Sequence, residues 1–237
     1  MLSFRLFDIP IKVRVSFLAV AVFLGFSGND LSAVVAWVGV VFVSILVHEL
    51  GHALTARQLG AEVAIELNAI GGLTRWGLRE GEMSPGRRAL LAASGSAVGA
   101  VFGGLVWLIA SQFGPYSGTL AFVIRTLILV NIFWGLLNWL PIRPLDGGHL
   151  LLSLLEKVSP AKADSIARVV FTVTAGIALW ISIGLQLYLI AFLSGWLLLS
   201  EFSRGRPAAP QVPMPTLNYD QPGEIIDIEP DPEEPTQ

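Results

Sequence analysis

This chain contains no cysteine. It cannot form a disulfide framework, and no thiolate is present to hold a metal. Histidine is almost as scarce: His48, His52 and His149 are all there is in 237 residues. Sites built from many imidazoles, such as membrane di-iron centres, are excluded. Charge is thin too. Asp, Glu, Lys and Arg make up 14% of the residues, against about 25% in ordinary soluble domains. The formal net charge of −3 is itself uneven. Asp220, Glu224, Asp227, Glu229, Asp231, Glu233 and Glu234 crowd the end of the chain, so the part before them is net basic.

What remains is apolar. Hydrophobic residues reach 54%, and mean hydropathy is +0.68. A helix needs about 20 apolar residues to cross a bilayer. Six stretches suit this role: Val15–Phe26, Leu31–Gln58, Ala89–Gln112, Leu120–Leu140, Ile166–Ser182 and Leu185–Phe202. The last two form one apolar run with Gly184 as the expected turn of a helical hairpin. Val15–Phe26 follows Lys12 and Arg14 without a convincing small-residue cleavage site, so it reads as a first membrane helix rather than a cleaved signal. With the N-terminus inside, every Lys and Arg except Arg125 falls on the cytoplasmic side, as the positive-inside rule asks. The expected protein is an all-α polytopic membrane protein of the cell (inner) membrane, with both termini cytoplasmic. Residues 1–202 form its core. The Pro-rich acidic stretch 203–237 cannot bury a core and is expected to be a disordered cytoplasmic tail.

The second apolar run leads into His48-Glu49-Leu50-Gly51-His52. Two imidazoles four residues apart lie on one helical face and can share a metal, and the intervening acid can act as a general base. Ionisable groups inside a membrane helix are costly and usually functional. From His48 to Arg57 the helix rises about 13 Å, which recesses the site below the cytoplasmic surface. A catalytic zinc wants a third protein ligand and an open position. Asp146 is the best candidate. It follows Pro141 and Pro144, which break the fourth helix, and precedes Gly147 and Gly148, which let the backbone turn. The competing reading is an ordinary turn Asp. His149 is a fourth ligand, a partner of the ligands or a surface residue, and it stays outside the metal set. Val63, Ile65 and Leu67 alternate with other residues as in a short strand that ends near Gly71-Gly72. That strand is either a plain hairpin or an edge to which an extended peptide adds. Gly95, Gly99 and Gly103 recur every four residues and permit close helix packing.

His48 through His52 together with Asn138 through Gly148 resemble the site-2 protease family of intramembrane zinc metalloproteases. The resemblance covers roughly residues 10–200. It implies that His48, His52 and Asp146 bind one Zn2+ per chain and that Glu49 is the catalytic base. It also implies that Asn138 matches a family Asn whose amide can serve the scissile carbonyl, the alternative being a polar packing contact. It further implies a short re-entrant β-strand loop with paired Gly, here Gly71-Gly72. Where the family often has Pro after the first Gly of the third helix, this chain has Ser96, so Gly95 is given a packing role only. A PDZ or paired nucleotide-binding regulatory domain, common in the family, is not expected in this sequence. The expected activity is cleavage of a membrane-spanning segment of a membrane-anchored protein, with no nucleic-acid partner. The rival expectation is a non-proteolytic zinc-binding membrane scaffold or a metal-ion carrier. Neither substrate nor oligomeric state is set by the sequence.

Overall fold

A computed structural model describes residues 1–26, 30–78 and 81–203. Strands Leu2–Leu6 (β1) and Ile9–Val13 (β2) form an antiparallel hairpin. Its turn residues Phe7 and Asp8 have φ of 51° and 60°, the positive pair that a two-residue hairpin turn requires. Helices Val15–Gly25 (α1) and Leu31–Gln58 (α2) follow. Asp30 starts α2: its carboxylate accepts from the Ser32 amide at 2.9 Å and the Ala33 amide at 3.2 Å. These bonds, with that from the Ser32 hydroxyl foremost, hold the Asp30 carboxyl below its ordinary pKa. Glu62–Asn68 (β3) then pairs parallel with β2, and Gly71–Gly77 (β4) pairs antiparallel with β3. The sheet order is β1-β2-β3-β4, which leaves β1 and β4 as free edges.

The rest is helical: Pro85–Phe113 (α3), Gly118–Leu129 (α4), a π segment at Val130–Trp134, Gly135–Asn138 (α5), Asp146–Val158 (α6), Ala163–Gly184 (α7) and Tyr188–Ser203 (α8). Among the described residues four helices are long and apolar enough to cross a membrane: Leu31–Gln58, Pro85–Phe113, Gly118–Asn138 and Pro160–Gly184. Val15–Gly25 and Ile190–Phe202 are apolar but shorter. The helical hairpin turning at Gly184 is present. The architecture is not all-α, however. The expected strand loop is half of a four-stranded sheet, because alternation in Leu2-Ser3-Phe4-Arg5-Leu6 and Ile9-Pro10-Ile11-Lys12-Val13 adds a second hairpin. Helix α6 is likewise additional to the six expected stretches. The expected tail from 204 onward, and residues 27–29 of the first expected external loop, lie outside the described residues.

The inner face of the sheet, with Ile9, Ile11, Val13, Val63, Ile65 and Leu67, packs on Phe17 of α1 and on Ala53 and Ala56 of α2. The sheet therefore clamps the C-terminal half of α2, just past the His pair. On the other face Glu66 is buried and pairs with Arg14 at the start of α1 and, at 3.3 Å, with Arg75, which ties β3 to α1 and β4. Helix α3 is central and touches α2, α4, α5 and α6. Its most apolar stretch is 44% buried, against 17–22% for the other three long helices.

Candidate metal centre and active site

His48 and His52 stack along α2 with ring centroids 4.8 Å apart and their Nε2 atoms 3.2 Å apart. The third group arrives from a broken helix. Helix α5 stops at Asn138, the backbone tightens through Ile142 and Leu145, and α6 begins at Asp146. Gly147 and Gly148 allow this restart to lie directly on the preceding turn. A Cβ on Gly148 would come within 2.8 Å of the Ile142 carbonyl oxygen, and one on Gly147 would overlap the Trp139 carbonyl. Arg143 bolts the linking turn to α7. It pairs with Asp164 at 3.1 Å and lies 5.0 Å over the buried Phe171 ring. Asp146 Oδ2 consequently sits 3.2 Å from His48 Nε2 and 3.3 Å from His52 Nε2.

This spacing fits a metal. Donors about 2.0–2.1 Å from a tetrahedral zinc lie about 3.3–3.4 Å from one another. Two imidazole nitrogens and one carboxylate oxygen are also a donor set that zinc accepts while keeping one position open. His48, His52 and Asp146 are the one such cluster among the described residues. His149 is exposed on the first turn of α6 and does not belong to it.

Helix α3 supports the cluster from behind. His52 Nδ1 lies 2.8 Å from the Leu91 carbonyl oxygen. A carbonyl only accepts, so Nδ1 carries the proton and Nε2 presents its lone pair to the cluster. Ser94 donates to the same carbonyl at 2.7 Å. The helices touch backbone to backbone here, since a Cβ on Gly51 would stand 2.8 Å from the Ser94 carbonyl oxygen and 2.9 Å from Gly95 Cα. Gly95 therefore does more than pack helices, because its missing side chain is the space that the His52 ring occupies. Gly99 and Gly103 face Asn131 in the π segment, whose amide donates to Ser44 and to the Leu127 carbonyl, both at 2.8 Å.

Glu49 is buried on the β4 side of α2. The Thr74 hydroxyl donates to its Oε2 at 2.6 Å, and a side chain on Gly72 would overlap its carboxylate. Strand β4 thus shapes the seat of the acid. Asn138 reaches the cluster as well, with Nδ2 3.5 Å from His48 Nε2. His48, His52 and Asp146 form one cluster with Asn138 beside it, and Glu49 lies on the same helix as the two histidines, against β4. Thr74, Ser94 and Ser96 also contribute but are not evident in sequence, because their contacts join elements far apart in the chain. The repeating Gly at 95, 99 and 103 was the one signal that pointed to α3.

Residues 115–183, which hold the second motif, match Peptidase family M50. A zinc metalloprotease of Methanocaldococcus jannaschii is 32% identical over 160 residues, which is 65% of this chain. The chain spans only 45% of that relative's length. The structure of a site-2 protease from the same organism superposes with a TM-score of 0.58, covering 87% of this chain and 96% of that one at 22% identity. That likeness is one of fold. Through its paired motifs, its matched segment and its fold, the chain resembles the site-2 zinc metalloproteases of peptidase family M50.

Proposed function

We propose that the chain is a zinc-dependent endopeptidase that cleaves a membrane-spanning segment of another membrane protein. The observation that carries this reading is the convergence of His48 Nε2, His52 Nε2 and Asp146 Oδ2 beside a buried, strand-held Glu49. A zinc ion held by His48, His52 and Asp146 would supply Lewis-acid polarisation of a water molecule and of the scissile carbonyl. Glu49 accepts the proton of the attacking water and delivers it to the departing amine. Thr74 keeps the Glu49 carboxylate in place for both transfers. Asn138, with its amide beside His48, donates to the carbonyl oxygen as negative charge develops there.

The free edge of β4 supports an extended substrate mode. Among the described residues no strand pairs with this edge, and it runs beside Glu49 with Gly71 and Gly72 at its start. A helical peptide bond is shielded by its own backbone, so the substrate segment must unwind before it lies along this edge. In this reading α1 and α8 join the four long helices as six membrane helices in the inner membrane. Residues 1–202 form the core, and the N-terminus is cytoplasmic. A metal-ion carrier would need acids or histidines along a path, whereas the described residues offer one cluster at one depth. A zinc-binding scaffold remains the second reading, and the acid at 49 separates it from an enzyme.

The decisive variant is Glu49→Gln. It keeps shape and ligands, so zinc content should stay near one per chain. Turnover should fall by about 10²–10⁴-fold, the usual share of general-base catalysis. The assay follows cleavage of labelled single-span polypeptides in detergent, with and without chelator. In parallel, membranes of cells carrying the variant are searched for the polypeptide that accumulates uncleaved. Normal cleavage by a zinc-loaded Glu49→Gln protein would exclude the peptidase mechanism.

A further inference from the structure

The hydroxyl of Ser96 behaves unlike other serine hydroxyls in the helices. Ser94, Ser111, Ser182 and Ser200 each donate to a carbonyl three or four residues back in their own helix. This is the usual fate of a helical serine. Ser96 instead reaches across fifty residues of sequence and donates to Asp146 Oδ2 at 3.3 Å. It is 1% exposed, so water cannot take its place. Gly135 of α5 lies against its backbone, with room for a Cβ only at 3.3 Å from the Ser96 carbonyl oxygen, so the serine cannot move away.

Asp146 needs such a partner. It stands at the first position of α6, and the partners of its carboxylate lie on other helices, His48 and His52 on α2 and Ser96 on α3. The last torsion of an aspartate is broad and two-fold, so the carboxylate plane is not set by rotamer preference. The oxygen that Ser96 holds is the same Oδ2 that faces His48 and His52. One lone pair of that oxygen is directed at the cluster and another is occupied by the hydroxyl. We propose that Ser96 is a positioning residue that fixes the Asp146 carboxylate so that a single oxygen enters the metal site. The inference rests on the metal reading above and goes beyond it. Without the hydroxyl the carboxylate plane is less firmly set and can present its second oxygen as well, adding a donor that crowds the position the reaction needs open. Ser94, Gly95 and Ser96 then act together: one supports the carbonyl that orients His52, one makes room for its ring, and one orients Asp146.

The test uses the full chain in detergent and metal ions alone, with no substrate. Zn2+ affinity is measured by competition with a chromophoric chelator, and Co2+ is added to record the visible spectrum, whose intensity reports coordination number. Wild type and Asp146→Ala fix the scale. Ser96→Ala should bind Zn2+ about 10–100-fold more weakly, the usual effect of removing a hydrogen bond to a ligand. Its Co2+ bands should weaken as coordination rises from four to five. Ser96→Thr keeps the hydroxyl and should retain wild-type affinity and bands. Ser182→Ala removes another buried, back-bonded hydroxyl and should change neither. Melting of the metal-free proteins identifies any variant that has not folded. A folded Ser96→Ala protein with wild-type affinity and spectrum, beside a weak Asp146→Ala protein, overturns the inference and leaves the metal reading standing. A folded threonine variant as weak as the alanine one also overturns it. Wild-type binding by Asp146→Ala overturns the ligand assignment and this inference together.

Discussion

Replacing Gly95 with alanine separates helix stability from metal binding. The new Cβ would lie 2.6 Å from His52 Cδ2 and 2.7 Å from Cε1. Carbon atoms rest at about 3.5–4.0 Å, so the ring must withdraw by about 1 Å. It cannot swing aside freely, because Nδ1 is tied to the Leu91 carbonyl at 2.8 Å. Overpacking of this kind costs about 1–3 kcal/mol, while alanine in place of glycine returns about 0.5–1 kcal/mol to the helix. The metal-free protein should therefore lose about 0–2.5 kcal/mol. The cluster should lose zinc affinity in addition. A reacting group misplaced by about 1 Å costs on the order of 10²-fold in a preorganised site. The same factor in zinc affinity is about 2.7 kcal/mol. The assay is thermal melting of wild type and Gly95→Ala at several free Zn2+ concentrations, with affinity measured by chelator competition. The zinc-linked rise in Tm should nearly vanish in the variant, while the metal-free form melts lower by no more than that stability loss. An undiminished zinc-linked rise would show that the His52 ring does not need the space over Gly95, and the account of α3 given above would fail.

Further outcomes follow from β4 and from the topology. Thr74→Val should lower kcat about tenfold or more at unchanged zinc content, since it removes the bond that holds the Glu49 carboxylate. Thr74→Ser should restore it, and equal activity in the valine and serine variants would discount that bond. Reporter fusions after Gly60 and Pro160 should signal the cytoplasm and one after Gly114 the outside, and the reverse pattern would invert the proposed orientation.

The site was legible in the sequence to the extent that its chemistry is local. His48 and His52 share a helical face because of their spacing, and Asp146 stands out because Pro141 and Pro144 stop a helix and Gly147 and Gly148 let another begin. The contacts of Ser96 with Asp146 and of Thr74 with Glu49 were not legible, because each joins two elements that only the folded chain brings together. The N-terminal hairpin was legible in principle. Alternation in β1 and β2 is clear, but beside long apolar runs a five-residue pattern is a weak signal. The count of spans was less legible, since α1 and α8 are apolar without being long.

The parallel pairing of β2 with β3 has a consequence of parity. Ile11 lies beside Ile65 and Val13 beside Leu67, and the chain between them comprises α1, α2 and their connection. Two strands hydrogen-bonded to each other lie on the same side of a membrane. The stretch between them must then cross an even number of times. Helix α2 alone is long enough for one crossing, and in the proposed six-helix topology α1 makes the other. Helix α1 spans only about 16 Å, well short of a hydrocarbon layer of about 30 Å. In that topology the lipid next to α1 would thin to meet it. Helix α1 packs against α2, which carries His48 and His52, so in the proposed topology a thinner hydrocarbon layer would lie beside that helix.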